Sequence, residues 1–255
     1  MLICDYTIDI GEGALRSRIS IQKISKHPIP YDYQYGLASM LYGKLAEANI
    51  KLANELHSHQ NFKFFTFSNF IIEDKKSNRK GLDFDCAHFF LTSPDIEFVR
   101  SFAEGLLQAP EFHLGRVCFV VRSIEILGQR EFDEECDLKT LSPIYVKTLR
   151  KVNGEMKEWD LYPTEGKFYE NLHNNLKTMY EEFYGYPVQN DYFEVTKLHS
   201  FKGRRINIDG SYRRCSLMRF KLNANPEYIK FGYEAGFGEK NAMGFGCVEV
   251  DEGAG

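Results

Sequence analysis

No apolar run in the 255-residue sequence approaches the roughly eighteen residues that a membrane-spanning helix needs. The first residues, MLICDYTIDIGEG, also lack the basic-then-apolar layout that is typical of a secretory signal peptide. We therefore expect a cytoplasmic protein that does not enter a membrane.

Paired cysteines and spaced metal ligands are missing as well. The six cysteines are widely scattered without a CxxC pair, and no metal-ligand spacing links His27, His113, His173 and His199. This pattern is typical of reduced thiols and argues against a disulfide framework or a zinc site. The glycine-rich stretch near 236–244 matches neither GxxxxGK[ST] nor a GxGxxG that opens a helix. The sequence thus predicts no metal ion and no cofactor.

An overall positive charge is absent, but a local one is present. The formal net charge is −4 at pH 7, which by itself does not indicate a polyanionic partner. Between 197 and 221, only Asp209 is acidic, whereas eight residues are basic: Lys197, Lys202, Arg204, Arg205, Arg213, Arg214, Arg219 and Lys221. A basic stripe in an acidic chain indicates nucleic-acid binding better than the overall charge does. A solvated hairpin remains the alternative.

The first half of the chain alternates strand-like and helix-like spacing of apolar residues. The predicted elements are a strand at 2–9, a helical segment at 34–56, strands at 62–74 and 82–93 around a turn at 75–81, a helix at 93–108 and a strand at 116–127. Asn49 is expected to interrupt the helical segment and to cap a second short helix. This order is the β-α-β-β-α-β plan of a ferredoxin-like domain.

The second half repeats the plan less clearly. Its predicted elements are a strand at 141–149, a helix at 166–185, strands at 192–201 and 211–222, a short helix at 225–236 and a final strand at 247–250. We expect an α+β protein of two tandem ferredoxin-like (RRM-like) domains, at 1–128 and 141–255, with an acidic linker at 129–140.

The best catalytic candidates lie in and before the tract LHSHQNFKFFTFS at 56–68. His57 and His59 can exchange protons near neutral pH, and Lys63 can balance charge that builds on a phosphate. Tyr42 can join them only if the chain turns at Asn49. Such a set suits RNA cleavage without a metal ion, in which a ribose 2′-hydroxyl attacks the adjacent phosphate. The alternative is that His57 merely ends a helix, where a cationic side chain is favourable.

Glycines are concentrated near the C-terminus, in GYEAGFGEKNAMGFGCVEV at 232–250. Ordering so many glycines costs conformational entropy, so a geometric requirement is expected. One such requirement is a backbone that lies against phosphates with its N–H groups turned toward them. A flexible loop or a set of tight turns is the alternative.

Four segments together carry a resemblance to a known family: IPYDYQYGLASMLY at 29–42, LHSHQNFKFFTFSNF at 56–70, TLSPIYV at 140–146 and, most specifically, GYEAGFGEKNAMGFGCVEV at 232–250. They closely resemble the CRISPR-associated endoribonucleases that process precursor crRNA, the sixth numbered Cas family of the RAMP superfamily. The resemblance implies tandem ferredoxin-like folds and one metal-independent cut within the CRISPR repeat, giving a 2′,3′-cyclic phosphate and a 5′-hydroxyl.

The resemblance also implies an active site of a tyrosine, a histidine and a lysine, which by local match are Tyr42, His57 and Lys63. Their acid and base roles stay open, and His59 is a candidate accessory residue. The implied RNA-binding residues are Lys197, Lys202, Arg204, Arg205, Arg213, Arg214, Gly236, Gly238, Lys240, Asn241, Gly244 and Gly246. The expected partner is CRISPR repeat RNA, and a homodimer and a CRISPR effector complex stay open. The alternative function is a non-catalytic RNA-binding subunit of such a complex.

Overall fold

The structure is a computed structural model that describes residues 16–58, 62–74, 76–208 and 210–253. The strand predicted at 2–9 lies outside the described residues. Within these ranges, no helix has both the length and the apolar character needed to cross a membrane.

The first part of the chain forms a sheet with helices packed on one face, together with one small hairpin. Its elements are β1 (Arg16–Lys23), α1 (Gln34–Ala48), α2 (Ile50–Ser58), β2 (Thr66–Phe67), β3 (Lys76–Asn78), β4 (Gly81–Asp83), β5 (Cys86–Thr92), α3 (Ile96–Gln108), β6 (Glu111–Leu114) and β7 (Val117–Leu127). The antiparallel sheet has the order β2-β5-β1-β7-β6. Without β6, this is the strand order of a ferredoxin-like domain, with β1 in the interior between β5 and β7.

The second part repeats this arrangement. Its elements are β8 (Glu135–Thr140), β9 (Lys147–Val152), β10 (Glu155–Asp160), α4 (Gly166–Tyr184), β11 (Phe193–Ile208), β12 (Ser211–Ala224), α5 (Pro226–Ala235), a 3-10 helix (Asn241–Met243) and β13 (Val248–Val250). The sheet order β11-β12-β8-β13 places β8 where β1 lies in the first sheet. Strands β9 and β10 form a separate hairpin between β8 and α4. The predicted tandem ferredoxin-like fold is confirmed.

Each sheet buries one face under its helices. Leu41 of α1, Phe102 of α3 and Ile19 of β1 belong to one fully buried core. Leu176 of α4 and Phe220 of β12 belong to a second core. These two cores correspond to the two domains that the spacing of apolar residues predicts.

Asn49 has the role that the sequence predicts. Its backbone N–H donates to the carbonyl of Leu45 as α1 ends. Its side-chain Oδ1 then accepts a hydrogen bond of 3.1 Å from the N–H of Leu52, in the first turn of α2. One residue thus ends one helix and caps the next, and α2 turns back to contact α1.

Two predicted strands differ from those observed. The strand predicted at 62–74 is reduced to β2 and a single bridge between Ile71 and His88. The strand predicted at 141–149 is wrong over 141–146, because Ile144, Tyr145 and Val146 form a buried connection between the sheets and β9 begins only at Lys147. Ile144 makes one isolated bridge with Ser216, and complete burial explains why all three residues are apolar.

The range predicted as a linker contains regular structure. Residues Glu135–Thr140 form β8, which pairs with β12 on one side and β13 on the other. One of its acidic side chains bonds to the neighbouring strand, since Glu135 of β8 forms an ion pair with Lys221 of β12 at 2.6 Å. The domain boundaries themselves stay a prediction.

Arg16 connects the two halves of the chain. Its guanidinium lies between the rings of Phe90 and Tyr233, 4.6 and 4.4 Å from their centroids. Its Nη1 donates a hydrogen bond of 2.9 Å to the carbonyl oxygen of Val248. This buried cation stabilises the contact between the first sheet and the C-terminal segment, because its charge is both hydrogen-bonded and held against aromatic faces.

Candidate active site

Tyr42 and Lys63 come together in the folded chain. The Lys63 Nζ lies 5.1 Å from the centroid of the Tyr42 ring. Tyr42 belongs to α1, whereas Lys63 follows α2, so the turn at Asn49 makes their contact possible. Two of the three residues implied as catalytic are therefore neighbours.

Burial changes the acidity of both groups. The half-buried Tyr42 ring packs edge-to-face on Phe65, and burial raises the pKa of its phenol well above the usual value. Burial lowers the pKa of the Lys63 ammonium. The phenol therefore keeps its proton at neutral pH, where it can donate a hydrogen bond.

The two histidines of the tract are less completely described. His57 lies in the last turn of α2, and its side chain is outside the described part of the chain. His59 lies outside the described residues. Because α2 packs against α1, the chain turns between Tyr42 and His57 as their cooperation requires.

Tyr42 and Lys63 line one cleft of about 440 Å³. Its walls come from α1, α2 and the 3-10 helix, and they include Met243 of the glycine-rich segment. Clefts that bind small organic groups have volumes of about 300 to 1,000 Å³. The cleft is therefore large enough to admit part of a substrate beside the two polar residues.

The glycine-rich segment is folded into the interior and is not an open loop. Gly236, Gly238, Gly244, Gly246 and Asn241 are all buried, and of the six predicted RNA-binding residues from this segment only Lys240 is exposed. Their role in RNA binding stays a prediction. The structure does show why glycine is needed here: neighbouring protein atoms lie too close to these positions to leave room for a side chain.

Two glycines illustrate that requirement. Gly246 has φ +79°, and a Cβ atom there would lie 2.1 Å from the carbonyl oxygen of Phe237. Gly244 has φ +82°, and a Cβ atom there would lie 2.5 Å from the Phe67 ring. Both positions combine a left-handed backbone with a close approach that excludes any side chain.

The segment is also bonded to the strand that follows Lys63. The Thr66 hydroxyl donates a hydrogen bond of 2.7 Å to the carbonyl oxygen of Phe245. The Asn241 amide donates to the same oxygen at 3.2 Å and to that of Phe237 at 3.4 Å. Sequence reasoning missed this supporting role, although the buried Phe237 and Phe245 between the glycines could have indicated it.

The basic residues predicted from the sequence lie on the long hairpin of β11 and β12. Of the six that are predicted to bind RNA, the exposed ones are Lys197, Lys202, Arg204, Arg205 and Arg214. Arg213 instead turns toward the protein, where its Nη1 donates to a Glu158 carboxylate oxygen at 2.9 Å. The five exposed cations are therefore available to a ligand in solvent, whereas Arg213 already has Glu158 as a partner.

Exposed aromatic side chains accompany these cations. Phe201 and Tyr212 are 41% and 53% exposed, and the Arg205 guanidinium lies 4.4 Å from the Tyr212 ring centroid. Aromatic rings beside arginines are suited to stacking on unpaired bases. The sequence-based prediction named the cations of this hairpin but missed its aromatic residues.

The described residues include no group of three or more His, Cys, Asp or Glu side chains arranged to hold a metal ion.

Comparisons with known proteins cover both halves of the chain. Residues 28–125 match the family model "CRISPR-associated protein Cas6, N-terminal", and residues 127–250 match "CRISPR associated protein Cas6, C-terminal". The "CRISPR-associated endoribonuclease Cas6 1" of Methanocaldococcus jannaschii is 42% identical over 240 residues, which is 92% of each chain.

Solved structures agree with this similarity. A "CRISPR associated protein Cas6" superimposes with a TM-score of 0.83 at 41% identity, covering 93% of this chain and 99% of the other. A structure described as "An RAMP protein binding different RNA substrates" has a TM-score of 0.84 at 32% identity, covering 93% of this chain and 100% of the other. The chain belongs to the Cas6 family of CRISPR-associated proteins.

Proposed function

We propose that this protein is an endoribonuclease that binds CRISPR repeat RNA and cleaves precursor crRNA within the repeat. The contact between Tyr42 and Lys63 in one cleft, beside the helix that carries His57, is the observation that supports this function best. Similarity to proteins named CRISPR-associated endoribonucleases supports the same assignment.

The reaction is a transesterification that the side chains of the tract can perform without a metal ion. The ribose 2′-hydroxyl loses its proton and attacks the adjacent phosphorus, and the bond from phosphorus to the 5′-oxygen breaks. The products are a 2′,3′-cyclic phosphate and a 5′-hydroxyl. The Lys63 ammonium stabilises the negative charge that develops on the phosphate oxygens.

Proton transfer is divided between Tyr42 and His57. Because the buried Tyr42 phenol carries its proton at neutral pH, we assign to Tyr42 the donation of a proton to the departing 5′-oxygen. His57 then accepts the proton of the 2′-hydroxyl, since an unperturbed imidazole has a pKa of about 6.5. In this pairing Tyr42 acts as the general acid and His57 as the general base, and each transfers one proton.

The exposed cations of the β11–β12 hairpin hold the RNA backbone, and Phe201 and Tyr212 stack on unpaired bases. Phosphate contacts fix the position of an RNA, whereas base contacts distinguish its sequence. The glycine-rich segment contributes by supporting the strand next to Lys63, with Lys240 as its solvent-facing cation.

The test is incubation of the purified protein with its own repeat RNA in excess EDTA. We expect one cut within the repeat, a 5′-hydroxyl that polynucleotide kinase can phosphorylate, and a 3′ end that resists ligation until the cyclic phosphate has been opened and the resulting phosphate removed. RNA that stays intact while binding is demonstrated would remove the enzymatic function and leave a repeat-binding subunit.

A further inference from the structure

We propose that the cleft beside Tyr42 and Lys63 binds the unpaired nucleobase of a nucleotide that flanks the scissile phosphate, with Tyr35 as its stacking surface. This inference rests on the proposed endoribonuclease function and assigns a substrate subsite to the same cleft.

The floor of the cleft is formed by small residues on one face of α1. They follow helical spacing and are Ala38, Ser39, Gly43 and Ala46. Such residues leave a groove along the helix, because no long side chain covers its backbone. A Cβ atom at Gly43 would meet no other atom within 4 Å, so the groove is open at that point.

Large apolar side chains border this groove and face solvent. Tyr35 is 47% exposed at the start of α1, and Ile50 is 58% exposed at the start of α2. Burying such surface is favourable, because it removes apolar area from water. An exposed aromatic and an exposed isoleucine at the rim of one cleft therefore indicate a binding surface.

The charges of the cleft favour a nucleotide as the occupant. Among the described residues that line it, Lys63 is the only charged one, and the remainder are apolar or neutral. A nucleotide has the complementary distribution, with an anionic phosphate joined to a flat, neutral base. A phosphate held at Lys63 for cleavage keeps its neighbouring base within reach of the groove, and Ser39 and Asn54 can then hydrogen-bond to its edge.

The base must be unpaired, because a paired and stacked base offers no free face to Tyr35. Tyr35 lies two helical turns, about 10 Å, from Tyr42 along α1. This separation allows a base to stack at one end of the groove while the backbone reacts at the other.

Gly43 provides a way to fill the groove without loss of fold. Leucine has a better helix propensity than glycine, and the space at this position is open. Gly43→Leu is therefore expected to melt no lower than the unmodified protein. The matched control is Gly166→Leu at the exposed start of α4, where a Cβ atom also meets nothing within 4 Å.

The substrates are the repeat RNA, with its cut mapped, and two variants that carry an abasic ribose on either side of that cut. An abasic ribose keeps the 2′-hydroxyl and the phosphate and lacks only the base. Since stacking on an aromatic side chain is worth about 1 to 3 kcal/mol per base, we expect one abasic variant to lower kcat/KM on the order of 5- to 150-fold. Gly43→Leu should lower kcat/KM on intact RNA by a similar factor, and Gly166→Leu should not.

The effects of Gly43→Leu and of the abasic ribose on kcat/KM should not add. On the abasic RNA that is cleaved more slowly by the unmodified protein, Gly43→Leu should lower kcat/KM no further, because the base that leucine displaces is already absent. A further loss of the same size would show that leucine disturbs Tyr42 or Lys63, and would overturn the inference. Full activity of folded Gly43→Leu on intact RNA would overturn it as well.

If Gly43→Leu does not fold, Tyr35→Ala supplies the same comparison at an exposed position, with Tyr186→Ala in the second domain as its control. Normal cleavage of both abasic RNAs would contradict the nucleobase proposal and would favour a protein partner as the occupant of the groove. Absence of any cleavage by the unmodified protein would instead remove the proposed function itself.

Discussion

The Thr66 hydroxyl donates a hydrogen bond of 2.7 Å to the carbonyl oxygen of Phe245, although the two residues lie 179 positions apart in the sequence. Thr66 follows Lys63 by three residues, and Phe245 lies between two glycines of the glycine-rich segment. The bond therefore joins the C-terminal segment to the chain that positions a candidate catalytic lysine. Correct placement of Lys63 should depend on residues of the opposite domain.

Gly244→Ala should reduce both stability and cleavage. A methyl group there would lie 2.5 Å from the Phe67 ring, on a backbone with φ +82°, and we expect a loss of about 2 to 4 kcal/mol of unfolding free energy. Displacement of Phe67 should lower kcat more than RNA affinity. Urea denaturation and single-turnover cleavage measure the two effects.

Gly185→Ala is the matched control, because Gly185 has φ +78° and a Cβ atom there meets nothing within 4 Å. Gly185→Ala should lower the free energy of unfolding by about 1 to 2 kcal/mol, through backbone strain alone, and cleavage should stay normal. Equal effects of the two substitutions on cleavage would argue against the supporting role of the segment.

Replacing both exposed arginines Arg204 and Arg205 with alanine should weaken RNA binding and reduce its salt dependence. Each lost contact with a single-stranded phosphate lowers the slope of log K against log salt by about 0.7, so the double variant should lose about 1.4. Binding titrations at several salt concentrations give this slope. An unchanged slope would place the RNA elsewhere on the protein.

Arg213→Ala should act mainly through stability, in contrast to that double variant. Its guanidinium is hydrogen-bonded to Glu158 and lies 5.9 Å from the Tyr145 ring centroid. Losing a charged hydrogen bond of this kind, whose carboxylate is partly exposed to solvent, costs about 1 kcal/mol. Thermal melting and RNA titration of the same sample compare the effects, and a normal melting temperature with lost binding would assign Arg213 to the RNA surface.

The unfolding free energy should fall as pH rises because of Glu234. Burial raises the pKa of this carboxyl to about 7, and Glu131 acts in the same direction while Lys230 opposes it. The folded state therefore binds a proton that the unfolded chain releases near pH 4.5, and stability decreases between about pH 4.5 and 7. One pKa unit corresponds to about 1.4 kcal/mol, so the decrease should be about 3 kcal/mol.

Glu234→Gln removes this titration. Urea denaturation at pH 5 and pH 8 should show a smaller decrease for the variant than for the unmodified protein. The same decrease in both would assign the pH dependence to other groups.

The sequence predicted those features that depend on local patterns. Asn49 was identified because a capping residue sits between two runs of helical spacing. The order of such runs predicted the tandem domain plan, although no strand was predicted at β1 or β8, the first described strand of each sheet in chain order. The contacts of Gly244 with Phe67 and of Phe245 with Thr66 could not be predicted, since they join segments that are far apart in the chain. Tyr145 shows a further limit, because an apolar run reads as a strand whether it pairs in a sheet or is buried as a connection.

The candidate site was predictable in part for the same reason. The spacing within LHSHQNFKFF made His57 and Lys63 candidates, but the groove next to Tyr42 depends on how α1 and α2 pack. The exposed rings of Phe201 and Tyr212 were missed because strand residues of either face can be aromatic, and only the folded hairpin shows which rings reach solvent.

The most direct test of the proposed active site is single-turnover cleavage of repeat RNA by His57→Ala, in excess EDTA and with protein above its Kd. We expect cleavage at least about a hundredfold slower than in the unmodified protein, which is the usual scale for losing a positioned acid or base, with RNA affinity nearly unchanged. His59→Ala, measured in parallel, should retain most of the rate. Full activity of His57→Ala would contradict the assignment of catalysis to Tyr42, His57 and Lys63.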